Sequence, residues 1–288
     1  MIRQIAVLSG KGGAGKTSIT AALIKMMKTV IAVDADVNAS NLPILLPHQR
    51  QATFPYYGMD IANIQDEKCT LCGQCLPACH FNAIQQTPDG HFRINSADCE
   101  GCGACAFVCP AEAVAMIRRN SGSWYVSSLP NGTMIHADLT PGEDNSGKLI
   151  TEIRRKASEV AKDQHIPYIV IDGPPGTSCQ AISAMTGTDV VLAVVEESLS
   201  GLSDYRRLAE LIHKFSIPHE VLINKAGFSR QIDYDIVQTA AHFSGRIAGR
   251  IAFNKDIPAA LQNLQTPAEL DIYRDFFNQL LKQLLFEP

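Results

Sequence analysis

Two groups of residues in this chain have the types and spacing to do chemistry. The first is GKGGAGKT, Gly10–Thr17, which fits the pattern G-x-x-x-x-G-K-(S/T). Gly10, Gly12, Gly13, Ala14 and Gly15 let backbone N–H groups curl around phosphate oxygens. Lys16 then neutralises the β- and γ-phosphates, and Thr17 can hold Mg2+. The expected ligand is ATP or ADP with Mg2+, bound along Gly10–Ser18. A chance glycine-rich turn is the alternative, but a strand precedes the loop and a helix follows it. The loop also holds a second lysine, Lys11, which the pattern does not require. The second group is a set of thiols. Eight of the nine cysteines lie between Cys69 and Cys109. They form two C-x2-C-x2-C-x3-C runs: Cys69, Cys72, Cys75 and Cys79, then Cys99, Cys102, Cys105 and Cys109. Three thiolates of each run wrap one face of an iron–sulfur cube, and the fourth is carried on a turn to the other cube. The expected content is two 4Fe–4S clusters, one on Cys69, Cys72, Cys75 and Cys109, the other on Cys99, Cys102, Cys105 and Cys79. Gly73, Gly101 and Gly103 let the backbone approach the sulfides and supply N–H donors. Structural zinc is the alternative, yet zinc sites normally pair two C-x2-C knuckles rather than two runs of four. His80 stands where Pro110 follows the second run, and it reads as a surface side chain.

The phosphate-gripping residues need a frame that presents them together. Arg3 to Leu8 reads as a buried strand entering the loop, and Lys16 to Lys28 as a helix. Thr29 to Asp36 and Pro167 to Gly176 are further strands ending in acids. DVVLAVVEES and HEVLINKAG supply two more, and Gly201 to Phe215 reads as a helix between them. This alternation predicts an α/β fold, a mostly parallel sheet covered by helices on both faces. Ligands of such sheets sit at the carboxyl ends of the strands, so the loops after Leu8, Val33, Ile171 and Ile223 should meet. Residues 60–117 break the rhythm. They read as an inserted, small α+β module with an internal repeat, Cys69 to Gln85 and Cys99 to Met116. The expected division is residues 1–59 with 118–288 for the nucleotide domain and 60–117 for the insert. SWYVSSLPNGTMIHADL reads as a hairpin through Asn131 and Gly132, and Lys148 to Lys162 as a helix returning to the sheet.

The two-lysine loop resembles the signature loop of the MinD/Mrp/ParA class of P-loop ATPases, to which the nitrogenase iron protein is related. The similarity spans nearly all the chain outside the insert. VDADVNASNL resembles that family's switch I, IDGPPGTSC its switch II, and LINKAG its adenine-contacting loop. The resemblance implies that Asp36 orients the attacking water, that Asp172 lies near Mg2+, and that Asn224, with Lys225, reads the base. It gives Asp34 a supporting role near the metal. It also implies that Lys11 reaches across a nucleotide-sandwich dimer to the partner's phosphates; a solvated loop residue is the alternative. The insert is similar to bacterial two-cluster ferredoxins. Together these imply an ATPase, slow without its partner, that couples nucleotide-driven dimer switching to electron transfer through the clusters. Two other readings stay open: a carrier that delivers iron–sulfur or another metal cofactor to a client, and a positioning ATPase with redox-sensing clusters. The implied partners are a second copy or a paralogous ATPase, and a redox or metalloprotein client.

Bulk properties narrow the classes. The 288 residues are 46% hydrophobic and 19% charged, with a net charge of −4, which suits a buried core and no nucleic-acid partner. The apolar start is too short for a signal peptide, and no run approaches a membrane span. A cytoplasmic setting fits clustered metal-binding thiols. Cys179, seven residues after Asp172, reads as a buried free thiol, although in the nitrogenase iron protein a cysteine at this separation helps bridge a cluster. The last stretch has apolar residues at 276, 277, 280, 281, 284 and 285, a single helical stripe. Its polar positions include Asp275 and Glu287, with only Arg274 and Lys282 as bases, so it is expected to pack on the protein rather than on a membrane.

Overall fold

Aliphatic runs bounded by turn residues form the strands of a nine-stranded sheet. The computed structural model describes residues 2–286 apart from 141, 144 and 145, so Glu287 lies outside the described residues. β1 (Arg3–Ser9) leads into α1 (Lys16–Met26), and β2 (Val30–Asp34) into the short α2 (Leu42–Leu45). The long β3 (Gln49–Ile64) follows. The cysteine-rich stretch contributes α3 (Cys75–Ala78), β4 (Ile84–Gln86), β5 (Phe92–Ile94) and α4 (Ala104–Phe107). β6 (Val114–Leu129) and β7 (Gly132–Leu139) form the expected hairpin around Asn131. Then come α5 (Ser146–Asp163), β8 (Tyr168–Pro175), α6 (Cys179–Met185), β9 (Val190–Glu196) and α7 (Leu199–Lys214). The chain ends with β10 (His219–Ala226), α8 (Arg230–His242), β11 (Arg246–Ala252), α9 (Asp256–Gln262) and α10 (Asp271–Phe286).

The strand order is β11-β10-β9-β1-β8-β2-β7-β6-β3. β1 pairs in parallel with β8 and β9, β2 with β8 and β7, and β10 with β9 and β11. This is the mostly parallel, helix-covered sheet expected from the sequence. Central strands are apolar on both faces because helices cover both. Ile5, Val7, Ala32, Val170, Leu192 and Leu222 are all fully buried. The C-terminal stripe packs into the same core through Phe277, Leu280 and Leu284, as expected. Arg3 fastens it by donating from Nε to the Leu284 carbonyl at 2.7 Å.

The chain divides into two compact units. One holds Met1–Phe54, Trp124–Asp138 and Ser146–Pro288; the other holds Pro55–Ser123 and Leu139–Asn145. β3 and β6 each run from residues of one unit into residues of the other. Among the described residues no helix is long and apolar enough to cross a membrane.

Candidate functional site

The first site is built where β1 ends. Gly15 caps α1 with φ +97° and offers no side chain to the first amides of α1. A Cβ at Gly15 would lie 2.5 Å from Asn224 Nδ2, so the close approach as well as the dihedral requires glycine. Asn224, buried at the end of β10, donates from Nδ2 to the Ala14 carbonyl at 2.8 Å and braces the loop. Beside it lies a cavity of about 180 Å3 lined in part by Gly15, Ser18, Asn224, Phe253 and Pro258. It is mostly apolar and is lined on one side by Gly13 and Gly15 of the phosphate loop.

Four predicted side chains converge beside the start of α1. Lys16 Nζ lies 3.9 Å from Asp36 Oδ2, and both groups are largely buried. Asp172 and Asp34 are register partners on β8 and β2, each fully buried. The Thr20 hydroxyl is 2.9 Å from Asp172 Oδ1, and the Thr17 hydroxyl also favours the charged form of this carboxyl. Asp34 accepts from the Asp36 amide (3.1 Å), the Ser40 hydroxyl (2.9 Å) and the Leu42 amide (3.0 Å). Burial pushes the Asp34 carboxyl well above the usual range, and the neighbouring Asp172 adds to it. Burial raises Asp172 too, against the opposing pull of Lys16 and the two threonines. Asp172 Oδ2 is buried with no hydrogen-bond partner. An orphaned carboxylate oxygen beside a threonine hydroxyl is the donor set that suits Mg2+ and its waters. Burial likewise raises Asp36, offset in part by Lys16.

Lys11 takes a different course. Its Nζ meets Glu196 Oε1 at 3.3 Å and the hydroxyls of Ser200 at 2.9 Å and Ser198 at 3.4 Å. Lys225 Nζ reaches the Gly13 carbonyl at 3.0 Å and Glu196 Oε2 at 3.1 Å. Sequence reasoning gave Glu196 no role, because an acid at a strand end does not by itself say which lysine it meets. It also missed Glu197, which is buried and accepts the amides of Gly227, Phe228 and Ser229, so it shapes the loop after β10. Cys179 is exposed at the first residue of α6, so the expectation of a buried thiol is corrected. The turn from β8 leaves that first helical residue on the solvent side.

The second site lies within the cysteine-rich unit. Its two halves repeat in backbone conformation as well as in sequence. Leu71 and Gly101, Gly73 and Gly103, and Asn82 and Glu112 all have positive φ, each pair thirty positions apart. At Gly101 a Cβ would fall 2.2 Å from the Asp60 carbonyl, whereas Leu71 is tolerated at the matching place. The halves also exchange their ends. The Gln65 amide donates to the Ala113 carbonyl at 2.8 Å, and the Asn95 amide to the Ala83 carbonyl at 2.7 Å. Cys75 and Cys105 lie on α3 and α4; Cys79 follows α3 directly, and Cys109 comes two residues after α4 ends. One cavity is lined by Cys99, Cys102 and Cys105 together with Cys79, the fourth thiol of the other run. Burial pushes the Cys75 and Cys105 thiols up. Four thiols around one cavity, with left-handed turns presenting amides, fit a 4Fe–4S cube.

Comparison with known proteins agrees with both halves of this geometry. Residues 62–116 match the family described as 4Fe-4S dicluster domain. The uncharacterized protein MJ0578 of Methanocaldococcus jannaschii is 34% identical over 266 residues, covering 91% of this chain and 89% of its own length. A second uncharacterized protein of that organism, MJ0579, is 28% identical over 229 residues, or 78% of this chain and 81% of its own. Among solved structures, the septum site-determining protein MinD of Pyrococcus horikoshii, complexed with Mg-ADP, superposes with a TM-score of 0.58 at 19% identity. It covers 99% of this chain and 97% of that one. At that identity the likeness establishes the fold.

Proposed function

The chain belongs to the same family as MJ0578, with a MinD/ParA-type P-loop fold and a 4Fe–4S dicluster domain of its own, and from that premise we propose that it is an ATPase whose nucleotide state governs electron transfer through two 4Fe–4S clusters. Lys16 and the α1 amides bind the phosphates. Thr17 and Asp172 hold Mg2+, Asp36 orients the attacking water, and the cavity beside Asn224 takes the base. Lys11 serves the phosphates of a second chain, either another copy or a paralogue. Two relatives from one organism, each matched over most of its length, support the paralogue option. Residues 60–117 form the electron-carrying insert, and residues 1–59 with 118–288 the ATPase. When bound, the clusters supply one-electron chemistry; Cys69, Cys72, Cys75 and Cys109 hold one, and Cys99, Cys102, Cys105 and Cys79 the other.

One observation carries this reading. The chain leaves the nucleotide unit along β3, soon after Asp34 and Asp36, and returns along β6. The segment that carries Asp34 and Asp36 is therefore also the one that leads to the cysteine runs. A ligand shifts such an equilibrium only by its different affinity for two states, and the effect is reciprocal. A coupling of about 1–3 kcal/mol corresponds to roughly 40–130 mV for one electron. The test is a redox titration of anaerobic protein followed by EPR, with Mg-ADP and with a non-hydrolysable ATP analogue. The expected result is a shift of that size. Equal potentials in both states, with equal nucleotide affinity for oxidised and reduced protein, would refute the coupling.

A further inference from the structure

The phosphate-loop pattern gives no role to the carboxylate that ends β9. Glu196 lies between two lysines, with Oε1 at 3.3 Å from Lys11 Nζ and Oε2 at 3.1 Å from Lys225 Nζ. Lys225 also donates to the Gly13 carbonyl, which ties this bridge to the loop itself. Ser200 and Ser198 complete the surroundings of the Lys11 ammonium. Ser198 is in turn fixed as the N-cap of α7, accepting the Gly201 amide at 3.0 Å. An ammonium has three protons, and each of these has an acceptor in the same chain. Burial alone would push the Glu196 carboxyl up, but hydrogen bonds from Lys225 and Lys11 outweigh it and hold the group below the usual range. Glu196 is therefore an anion at neutral pH.

We propose that Glu196 is a positioning residue that retains Lys11 on its own chain, so that the terminal phosphate of a nucleoside triphosphate in a second chain gains Lys11 only by displacing this carboxylate. The proposal rests on the in-trans reading of Lys11 given above. Lys225 makes the exchange practicable, because Glu196 keeps one cationic partner when the other leaves and no carboxylate is stranded. Retention lowers the population of the association-competent arrangement, and apparent affinity falls with that population. The side chains of Lys11 and Glu196 are 27% and 22% exposed. The pair is consequently screened and its effect modest.

The experiment measures the protein concentration at half-dimerisation by light scattering, with Mg2+ and a non-hydrolysable ATP analogue, at low and high salt. Glu196→Gln should lower that concentration by about two- to fivefold, the range of a partly exposed ion pair. The advantage should fade at high salt. Glu196→Asp, which keeps the charge, should lie close to the natural protein. Ser200→Ala, at an exposed position, should give a smaller shift in the same direction. In the Lys11→Ala background, Glu196→Gln should restore nothing. The proposal is overturned if Glu196→Gln leaves dimerisation unchanged or weaker while melting and nucleotide binding are intact. It is also overturned if Glu196→Gln restores dimerisation to Lys11→Ala. If Glu196→Gln does not fold, an unchanged Ser200→Ala overturns it. Should Lys11→Ala by itself dimerise normally, the in-trans reading falls and Glu196 loses its role with it.

Discussion

The nucleotide unit and the dicluster unit solve the same problem, holding a reactive group in a fixed place, by different means. In the first, the phosphate loop hangs on strands whose aliphatic side chains are buried on both faces, among them Ile5, Val7, Val170 and Leu192. Helices such as α1, α7 and α10 cover those faces. The second has a sparse apolar core of Ala62, Ile64, Ile84, Phe92 and Val114, with Cys105 among them. Cys69, Cys75, Cys79, Cys99 and Cys109 pack around it. Its helices are four residues long and its own strands, β4 and β5, three. Helices that short do not persist on propensity alone. Burial fixes one unit, and ligation must fix the other, since metal binding to thiols contributes directly to folding free energy. A large packed core lets a site tolerate strain such as the buried Asp34–Asp172 pair. A ligated module has no such reserve.

The sharpest way to break this contrast is to remove the iron. Chelation under anaerobic conditions should abolish hydrogen-exchange protection across residues 62–116, by orders of magnitude, while α1 and the central strands keep theirs. Mass-spectrometric exchange reads both regions in one sample. Equal protection with and without iron would mean that the small core suffices. Next in size is Phe277→Ala. This ring is fully buried in the nucleotide unit, and its loss should cost about 3–5 kcal/mol. Denaturant unfolding of the metal-loaded protein should show that cost in the nucleotide-unit transition alone.

A smaller effect tests the strain held by the large core. Burial and the charge of Asp172 hold the Asp34 carboxyl above its ordinary range. The folded protein therefore keeps that proton to higher pH than the unfolded chain does. The stability linked to it is fully present below the unfolded value of about 4 and is lost as the pH rises through the raised folded value. Asp34→Asn should flatten this decline and raise the neutral-pH melting temperature by about 2–4 °C. Mg2+ with nucleotide should shrink the advantage, because a cation relieves the repulsion in the natural protein. Thermal melts between pH 4 and 8 give the answer, and a lower melting temperature for Asp34→Asn throughout would show that its three hydrogen bonds outweigh the repulsion. The smallest expected change is Phe107→Ala. That side chain, between Cys105 and Cys109, is 92% exposed, so its loss should alter stability by no more than about 0.5 kcal/mol. A larger loss, read by denaturant unfolding, would mean that the ring supports the module's packing.

Local spacing carried much of this protein in the sequence itself. GKGGAGKT and the two cysteine runs are each complete within a dozen residues, so the chemistry they allow needs no knowledge of distant neighbours. The apolar runs of β1, β2, β8, β9 and β10 were equally legible, because strands buried on both faces read as unbroken aliphatic stretches. The long β3 and the first half of β6 were not, because Pro55, Gly58, Gly122 and scattered polar residues blur their pattern. Tertiary structure alone decided which carboxylates face each other and which lysine meets which acid. Lys11 and Glu196 are 185 residues apart in the chain, and Asn224 and Ala14 are 210 apart. They meet because the parallel order β10-β9-β1 brings the ends of three strands to one edge. The same holds for the exchange of Gln65 and Asn95 between the cysteine halves. A repeat in sequence is consistent with halves lying side by side or crossing, and only the hydrogen bonds between their ends fix the crossing.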